Sequence, residues 1–318
     1  MREGEIIERL LRPIATHPAA RGLSDDAAVW SPPMGRELVL THDVIAEGVH
    51  YLGTDDPSDI AWKLVAVNLS DLAAKGAEPA GVLIGLGLAR PDDAWLERFA
   101  SGLARVLAEH GTALFGGDTT TGAASAVLGC TAIGHVPRGQ SLSRTGAKPG
   151  DDLYVTGTIG DAGLGLAIAR GEAPAEPALL RRYRLPVPRL AMGQGLAAAG
   201  AHGAMDVSDG LLIDASRMAK ASGVRIEIAL ADVPLSDAAA ARLAPGDAGR
   251  LAAATAGDDY ELLIAAPPES RAALLTLSEA ARLRLTRVGR VEAGEGFSVI
   301  GEGGTPVPVP RLGYEHGA

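Results

Sequence analysis

The chain has 318 residues, 47% of them hydrophobic and 21% charged, with 41 Gly and 20 Pro; at roughly 150 residues per domain this is room for about two domains, and the mixture is too apolar for long disorder. Twenty-nine Lys and Arg against 39 Asp and Glu leave a formal net charge of −10, and because the basic residues form no cluster in the sequence, nucleic acid is excluded as a partner. No apolar run approaches the roughly 20 residues that cross a bilayer, and the opening MREGEIIERLLRP has no signal-peptide core, so the chain is read as neither membrane-spanning nor secreted, hence cytoplasmic.

Glu37 to Thr41 is a short apolar run read as a strand ending at His42-Asp43. Asp56 as N-cap, Pro57 at the first helical position, the apolar stripe Ile60, Leu64 and Val67, and the stop at Gly76 predict a helix. Gly81 to Leu88 reads as a strand. Pro91-Asp92-Asp93 opens a second helix that carries Leu96, Phe99, Leu103 and Val106 and closes at Gly111. Ala124 to Ile133 reads as a further strand, and the single cysteine, Cys130, lies inside it as a core residue.

The polar stretch Pro137 to Pro149 marks a boundary and predicts two domains, 1–137 and 138–318. The second half carries a strand at Asp152 to Thr156, a helix at about Ala162 to Arg170, a Pro-rich basic segment at Arg181 to Arg189 and a helix at about Gly210 to Ser222. Strands are expected at Val224 to Ile228, Tyr260 to Ala265 and Arg287 to Val291. The order of elements predicts an α+β fold in two domains, with mixed sheets packed by helices.

Carboxylates at the ends of apolar segments dominate the chemistry: Asp25-Asp26, Asp43, Asp71, Asp118 in Gly116-Gly117-Asp118, and Asp206-Val-Ser-Asp209-Gly. Singly, each reads as a cap or a turn residue. Together they would repel one another unless hard cations intervene, and Mg²⁺ binds few carboxylates while keeping positions for substrate phosphates. Asp71 projects from the same stripe as Ile60, Leu64 and Val67, one turn after Asn68, so a cation or a donor must meet it.

No G-x-x-x-x-G-K-[ST] loop is present, and Gly157-Thr-Ile-Gly160-Asp-Ala-Gly163 reads as a turn with close helix packing. Ser143-Arg144-Thr-Gly-Ala-Lys148 is either a complement to phosphate or a solvated linker. His50 reads as an ordinary loop residue, and Asp258-Asp259-Tyr260-Glu261 as a solvated turn before a strand.

Six motifs in order resemble the thiamine-monophosphate kinases, of the superfamily that includes aminoimidazole ribonucleotide synthetase and selenophosphate synthetase: Ala66 to Ala74, Gly116 to Thr120, Arg144 to Asp151, Asp206 to Leu211, Asp258 to Leu262 and Gly313 to His316. The resemblance implies an aminoimidazole ribonucleotide synthetase-like fold, with an N-terminal ATP- and Mg²⁺-binding and dimerisation domain over 1–137 and a C-terminal domain over 138–318 that completes the active site. It assigns several Mg²⁺ ions to Asp26, Thr41, His42, Asp43, Asp71, Asp118, Asp206 and Asp209. ATP contacts fall on Gly117, Asp118, Arg144, Lys148 and Ser208, and thiamine monophosphate contacts on His50, Asp258 and Tyr314.

The implied reaction is ATP plus thiamine monophosphate giving ADP plus thiamine diphosphate, in a homodimer, with no covalent nucleophile and no general base. The sequence departs from the family at Ser24, His42, Thr121 and Asp258, and none of these changes removes a carboxylate assigned to metal. Two other readings stay open: a superfamily enzyme with a different acceptor, and a non-catalytic Mg²⁺ or nucleotide-binding module.

Overall fold

The computed structural model describes residues 1–89 and 92–315. Pro91 and His316, each part of an expected motif, lie outside the described residues. The chain forms two compact units, one of Met1–Leu72 and Ala77–Gly139, the other of Ala73–Gly76 and Gln140–Ala318. No described helix is long and apolar enough to cross a membrane.

The first unit is built on a four-stranded sheet. Its strands are β1 (Arg36–Ala46), β2 (Glu78–Leu88), β3 (Ala113–Thr121) and β4 (Val127–Pro137), in the spatial order β1-β4-β2-β3. β4 is antiparallel to both its neighbours, and β2 and β3 are parallel. β1 does not stop at His42-Asp43 but runs on to Ala46, because β4 supplies a partner at every position: Thr131 faces His42 and Cys130 faces Asp43. A neighbouring ladder outweighs the low strand propensity of two polar residues.

Helix α1 (Pro57–Ala74) begins where Asp56 accepts the Ser58 N–H at 2.9 Å. It is buried nearly all round, Asn68 and Ser70 included, so the expected apolar stripe understates its burial. Helix α2 (Asp93–Glu109) is capped by Asp92, which accepts the Trp95 N–H at 2.7 Å, and buries Leu96, Phe99, Leu103 and Val106 as their spacing predicts.

Cys130 is fully buried, and burial raises its thiol pKa well above the usual range, with the Asp43 charge adding to the effect. A thiol held in its protonated form is a poor nucleophile. Cys130→Ser is therefore expected to leave turnover unchanged while costing about 1 to 3 kcal/mol, because the new hydroxyl is buried in an apolar site. Denaturant melts with steady-state rates check both halves.

The second unit holds a six-stranded sheet of β5 (Asp152–Thr156), β6 (Gly203–Val207), β7 (Arg225–Ala229), β8 (Glu261–Ala266), β9 (Leu285–Glu292) and β10 (Gly296–Ile300), in the order β10-β7-β9-β5-β8-β6. Only β10 and β7 pair in parallel. Helices α3 (Asp161–Ala169), α4 (Pro177–Arg184), α5 (Leu190–Leu196), α6 (Leu211–Ser222), α7 (Asp247–Ala254) and α8 (Arg271–Ala280) complete it. One apolar cluster gathers Leu153, Val155, Leu211, Leu212 and Met218; another gathers Tyr154, Leu196, Leu262, Ile264 and Leu274. With both faces covered, β8 is buried at all six residues, which is why its sequence is a continuous apolar run rather than an alternation. The basic segment at Arg181 to Arg189 is partly helical, as the end of α4.

Candidate functional site

In the first unit, α1 and β1 bring three assigned residues together. The Thr41 hydroxyl donates to the Asp71 carboxylate, and the Asp43 N–H donates to Asn68 Oδ1 at 2.8 Å. Asn68 is itself fixed, its amide donating to the Leu64 carbonyl at 2.9 Å. Asp71 is thus met by a hydroxyl, the donor its place on an apolar stripe required.

Strand alternation then separates the remaining residues. His42 lies on the opposite face of β1 from Thr41 and Asp43, with Nδ1 2.8 Å from the Thr131 hydroxyl, so its side chain does not join theirs. Asp118 lies inside β3, not after it, in the row of Gly85, Gly129 and Val44, whereas Asp43 is in the row of Cys130 and Ile84. Gly117 precedes it with φ +157°, where a Cβ would lie 2.0 Å from the Ile84 carbonyl oxygen, so only glycine lets β3 come this close to β2.

Asp26 is exposed, its N–H donating to Asp25 at 2.8 Å, and the neighbouring Asp25 pairs with Arg21. His50 is half-buried, and its Nδ1 accepts the Ala46 N–H at 3.1 Å, which gives this loop residue a fixed ring.

In the second unit the assigned residues converge. Asp206 is the penultimate residue of β6, buried and opposite Leu262. The Asp258 N–H donates to the Ser208 carbonyl at 2.6 Å, and the Tyr314 N–H to the Asp209 carbonyl at 2.9 Å. Gly257 makes the approach possible, since a Cβ there would lie 2.9 Å from the Ser208 carbonyl oxygen. Asp258 and Tyr260 both sit in the left-handed region, at φ 66° and 51°, a conformation costly for residues with a Cβ and maintained here by the surrounding hydrogen bonds. Arg144 and Lys148 are exposed and form no ion pair among the described residues. Arg144 is anchored through its carbonyl, which accepts the Ser222 hydroxyl at 2.9 Å.

Two further carboxylates, to which the sequence reading gave no role in the site, organise the surrounding backbone. Asp214, fully buried in the first turn of α6, accepts the N–H groups of Ser208 and Asp209, each at 3.0 Å, and pairs with Arg217 at 2.8 Å. Arg217 also reaches Asp209. Burial pushes the Asp214 pKa up to about 6 against the pull of those donors. An acid in a helix's first turn after Asp-Gly was the available signal.

The second is Glu261. It is wholly buried, and it accepts the Thr156 hydroxyl at 2.7 Å, Arg182 at 2.6 Å and Arg189 Nε at 2.7 Å. The segment Asp258 to Glu261 is therefore not a solvated turn. Its Asp259 is buried as well and accepts the Gly160 N–H at 2.9 Å, at the start of α3. The glycine turn thus packs closely on the rest of the unit, its Gly160 N–H meeting a buried carboxyl of the chain itself.

Burial raises the Asp259 pKa from the ordinary 3.8 to about 8, although the Gly160 N–H and Arg182 act in the opposite direction. The fold thus favours the protonated form, so the stability this carboxyl contributes is complete below its unfolded value and is lost as the pH rises through about 8. Asp259→Asn, which carries no titrating charge, is expected to give a flatter fall of melting temperature between about pH 6 and pH 9. Thermal melts of both proteins across that range check this.

Among the described residues, no three His, Cys, Asp or Glu side chains stand close enough to hold a metal ion by themselves. Carboxylates are hard oxygen donors of the kind Mg²⁺ takes, its other positions being filled by water and substrate phosphates. The exposed Asp26 and Asp118 and the half-buried Asp43, Asp71 and Asp209 are of the right kind.

Comparison with known proteins bears on the whole chain. Residues 24–136 match the family of AIR synthase related proteins, N-terminal domain, and residues 148–302 the corresponding C-terminal domain. A thiamine-monophosphate kinase of Caulobacter vibrioides is 43% identical over 321 residues, covering 99% of this chain and 91% of that protein. The crystal structure of a thiamine-monophosphate kinase from Stenotrophomonas maltophilia superposes with a TM-score of 0.85 at 40% identity, over 95% of this chain and 98% of that one. AaThiL complexed with AMPPCP and TMP superposes with a TM-score of 0.78 at 31% identity, over 99% of both chains.

Proposed function

Because the chain belongs to the AIR synthase related family, and within it to the thiamine-monophosphate kinases, we propose that it transfers the γ-phosphoryl group of ATP directly to thiamine monophosphate, forming thiamine diphosphate and ADP. The observation that carries this reading on the chain itself is the backbone-locked cluster of Asp206, Ser208, Asp209, Asp258 and Tyr314, which joins residues assigned to metal, nucleotide and acceptor. The likeness to a protein complexed with AMPPCP and TMP supports the same two ligands.

The acceptor is a phosphate monoester with a second pKa near about 6, so at neutral pH its oxygen is already anionic and attack needs no base. What the protein must supply is charge neutralisation and alignment. Mg²⁺ ions held by Asp26, Thr41, Asp43, Asp71 and Asp118 of the first unit and by Asp206 and Asp209 of the second would supply the neutralisation. His42 is left out of that set, its side chain being engaged with Thr131.

Arg144 and Lys148 bring exposed cations to the phosphate oxygens, and the Gly117 and Ser208 backbone fixes the nucleotide. His50, Asp258 and Tyr314 orient the acceptor. Asp258, one methylene shorter than the family's usual Glu, is placed by its left-handed backbone and its bond to Ser208.

Direct transfer is one in-line displacement, so it inverts the configuration at phosphorus. With a chiral, isotopically labelled γ-phosphate, inversion is the expected result, and net retention or a phosphoprotein competent to turn over would refute the direct route. ADP release with thiamine monophosphate, compared with free thiamine and with an aminoimidazole precursor, separates this activity from a superfamily enzyme with another acceptor; no acceptor-dependent release would leave a binding module.

The same reading makes the protein a cytoplasmic homodimer. Leu38, Leu40 and Val44 of β1 and Val127 of β4 are exposed along one face of the first unit's sheet, an apolar surface of the kind a second copy covers. Sedimentation equilibrium tests the dimer, and a Leu40→Lys variant is expected to shift it towards monomer.

A further inference from the structure

The segment from Ser143 to Gly150 forms no helix or strand and carries two exposed cations, Arg144 and Lys148, a composition that ordinarily makes a solvated loop. Its backbone is nevertheless fixed along its length. The Ser143 carbonyl accepts the Ala204 N–H of β6 at 3.2 Å, and the Arg144 carbonyl accepts the hydroxyl of Ser222, the last residue of α6, at 2.9 Å. Gly146 packs against His202 so closely that a Cβ would lie 2.0 Å from the His202 carbonyl oxygen. Ala147 is buried in the apolar cluster that contains Leu153 and Leu211. Asp151, directly after the segment, is only 2% exposed. One of its carboxylate oxygens accepts the Lys148 N–H at 2.9 Å and the other stands 2.9 Å from His202 Nδ1, while the Asp151 N–H returns to the Lys148 carbonyl at 3.0 Å.

Burying a carboxylate is costly, and a lysine that merely faces water needs no such support. What the arrangement provides is aim. A long side chain on a mobile loop loses backbone as well as rotamer freedom when it meets an anion, whereas one whose stem is already held loses only the rotamers. Resting on the nucleotide contacts proposed above for Arg144 and Lys148, we propose that Asp151, His202 and Ser222 are positioning residues for ATP. Asp151, braced by His202, sets the backbone from which Lys148 reaches the phosphates, and Ser222 sets that of Arg144. All three act through the backbone of this one segment, so they serve the nucleotide and leave the acceptor site untouched.

The test is titration calorimetry of the full chain with the β,γ-methylene analogue of ATP and Mg²⁺, combined with steady-state kinetics. The variants are Ser222→Ala, Ser222→Thr, His202→Ala and His202→Asn, alone and together with Arg144→Ala or Lys148→Ala. Ser222→Ala is expected to raise the analogue Kd and the KM for ATP about threefold to tenfold, and His202→Ala about tenfold, with the KM for thiamine monophosphate within about twofold of normal. Ser222→Thr, which keeps the hydroxyl, and His202→Asn, whose amide nitrogen replaces Nδ1, should recover most of the loss. Each effect should vanish where its cation is already gone, Ser222→Ala adding nothing to Arg144→Ala and His202→Ala nothing to Lys148→Ala. If His202→Ala fails to fold, Ser222 decides the matter. Normal nucleotide constants in the alanine variants, or losses that persist undiminished without the cations, would overturn the positioning role, and continued phosphorylation of thiamine monophosphate by the wild type would leave the activity standing. Conversely, a wild type that binds the analogue with these couplings but forms no thiamine diphosphate would uphold the positioning role and remove the activity.

Discussion

Asp71→Asn is expected to lower turnover by at least about 100-fold while leaving the melting temperature within a few degrees of the wild type. The asparagine keeps an oxygen where the Thr41 hydroxyl donates, so the link between α1 and β1 survives, and only the negative charge is lost. Asp71 forms no ion pair among the described residues, so its charge is not spent on the fold. In a reaction without base or nucleophile, electrostatic neutralisation of the transferring group is the main contribution left to the protein, and one ligand charge there is worth several kcal/mol of barrier. Asp43→Asn is expected to lower turnover likewise, because it too removes a negative charge assigned to metal, while the bond from its backbone N–H to Asn68 is kept. Near-normal turnover of both variants at saturating Mg²⁺, with intact circular dichroism, would eliminate this pair as metal ligands.

The largest expected effect on stability comes from Glu261→Ala. The substitution takes from Arg182 and Arg189, both mostly buried, the carboxylate that they share, and from the Thr156 hydroxyl its acceptor. Removing one partner of a buried ion pair costs about 3 to 5 kcal/mol, mainly from the charge left behind. In a chain of this size that corresponds to a fall of the melting temperature on the order of 10 °C. Glu261→Gln, which keeps an acceptor but not the charge, should fall by less. A change of under about 2 °C in Glu261→Ala would mean that the arginines are solvated rather than held.

Turn chemistry was the part of the site that could be read from sequence. Asp206-Val-Ser-Asp209-Gly gives a strand end, a turn and a helix start within one short segment, and the structure places them so. Asp43 and Asp118 were misplaced as strand-end residues because an acid after an apolar run usually marks a stop, and only the β4 and β2 ladders reveal that both strands continue. Glu261 was not legible, since its partners, Thr156, Arg182 and Arg189, are brought to it by tertiary packing from distant segments. Strand β10 escaped notice for a different reason: Gly296 to Ile300 lies among glycines and acids that read as loop, and its pairing with β7 provides the order that its own sequence lacks. The class and the two-part organisation were visible because they depend on summed periodicity and composition, which tolerate such local errors.

The long first strand has a temporal consequence. Among the described residues β4 is the one strand that pairs with β1, with Arg36 meeting Pro137 and Ala46 meeting Val127, so during synthesis β1 emerges from the ribosome well before the strand that will pair with it. Until then its backbone donors and acceptors and its alternating Leu38, Leu40 and Val44 are open to any extended neighbour. Closing so long a loop is the slow kind of step in folding, and it cannot finish before β4 has been made. Translation rate and chaperone supply, rather than the final stability of the sheet, are thus expected to set how much of the newly made chain reaches the native state, and slowed elongation through residues 47–126 should lower the soluble yield without altering the melting temperature of what is recovered.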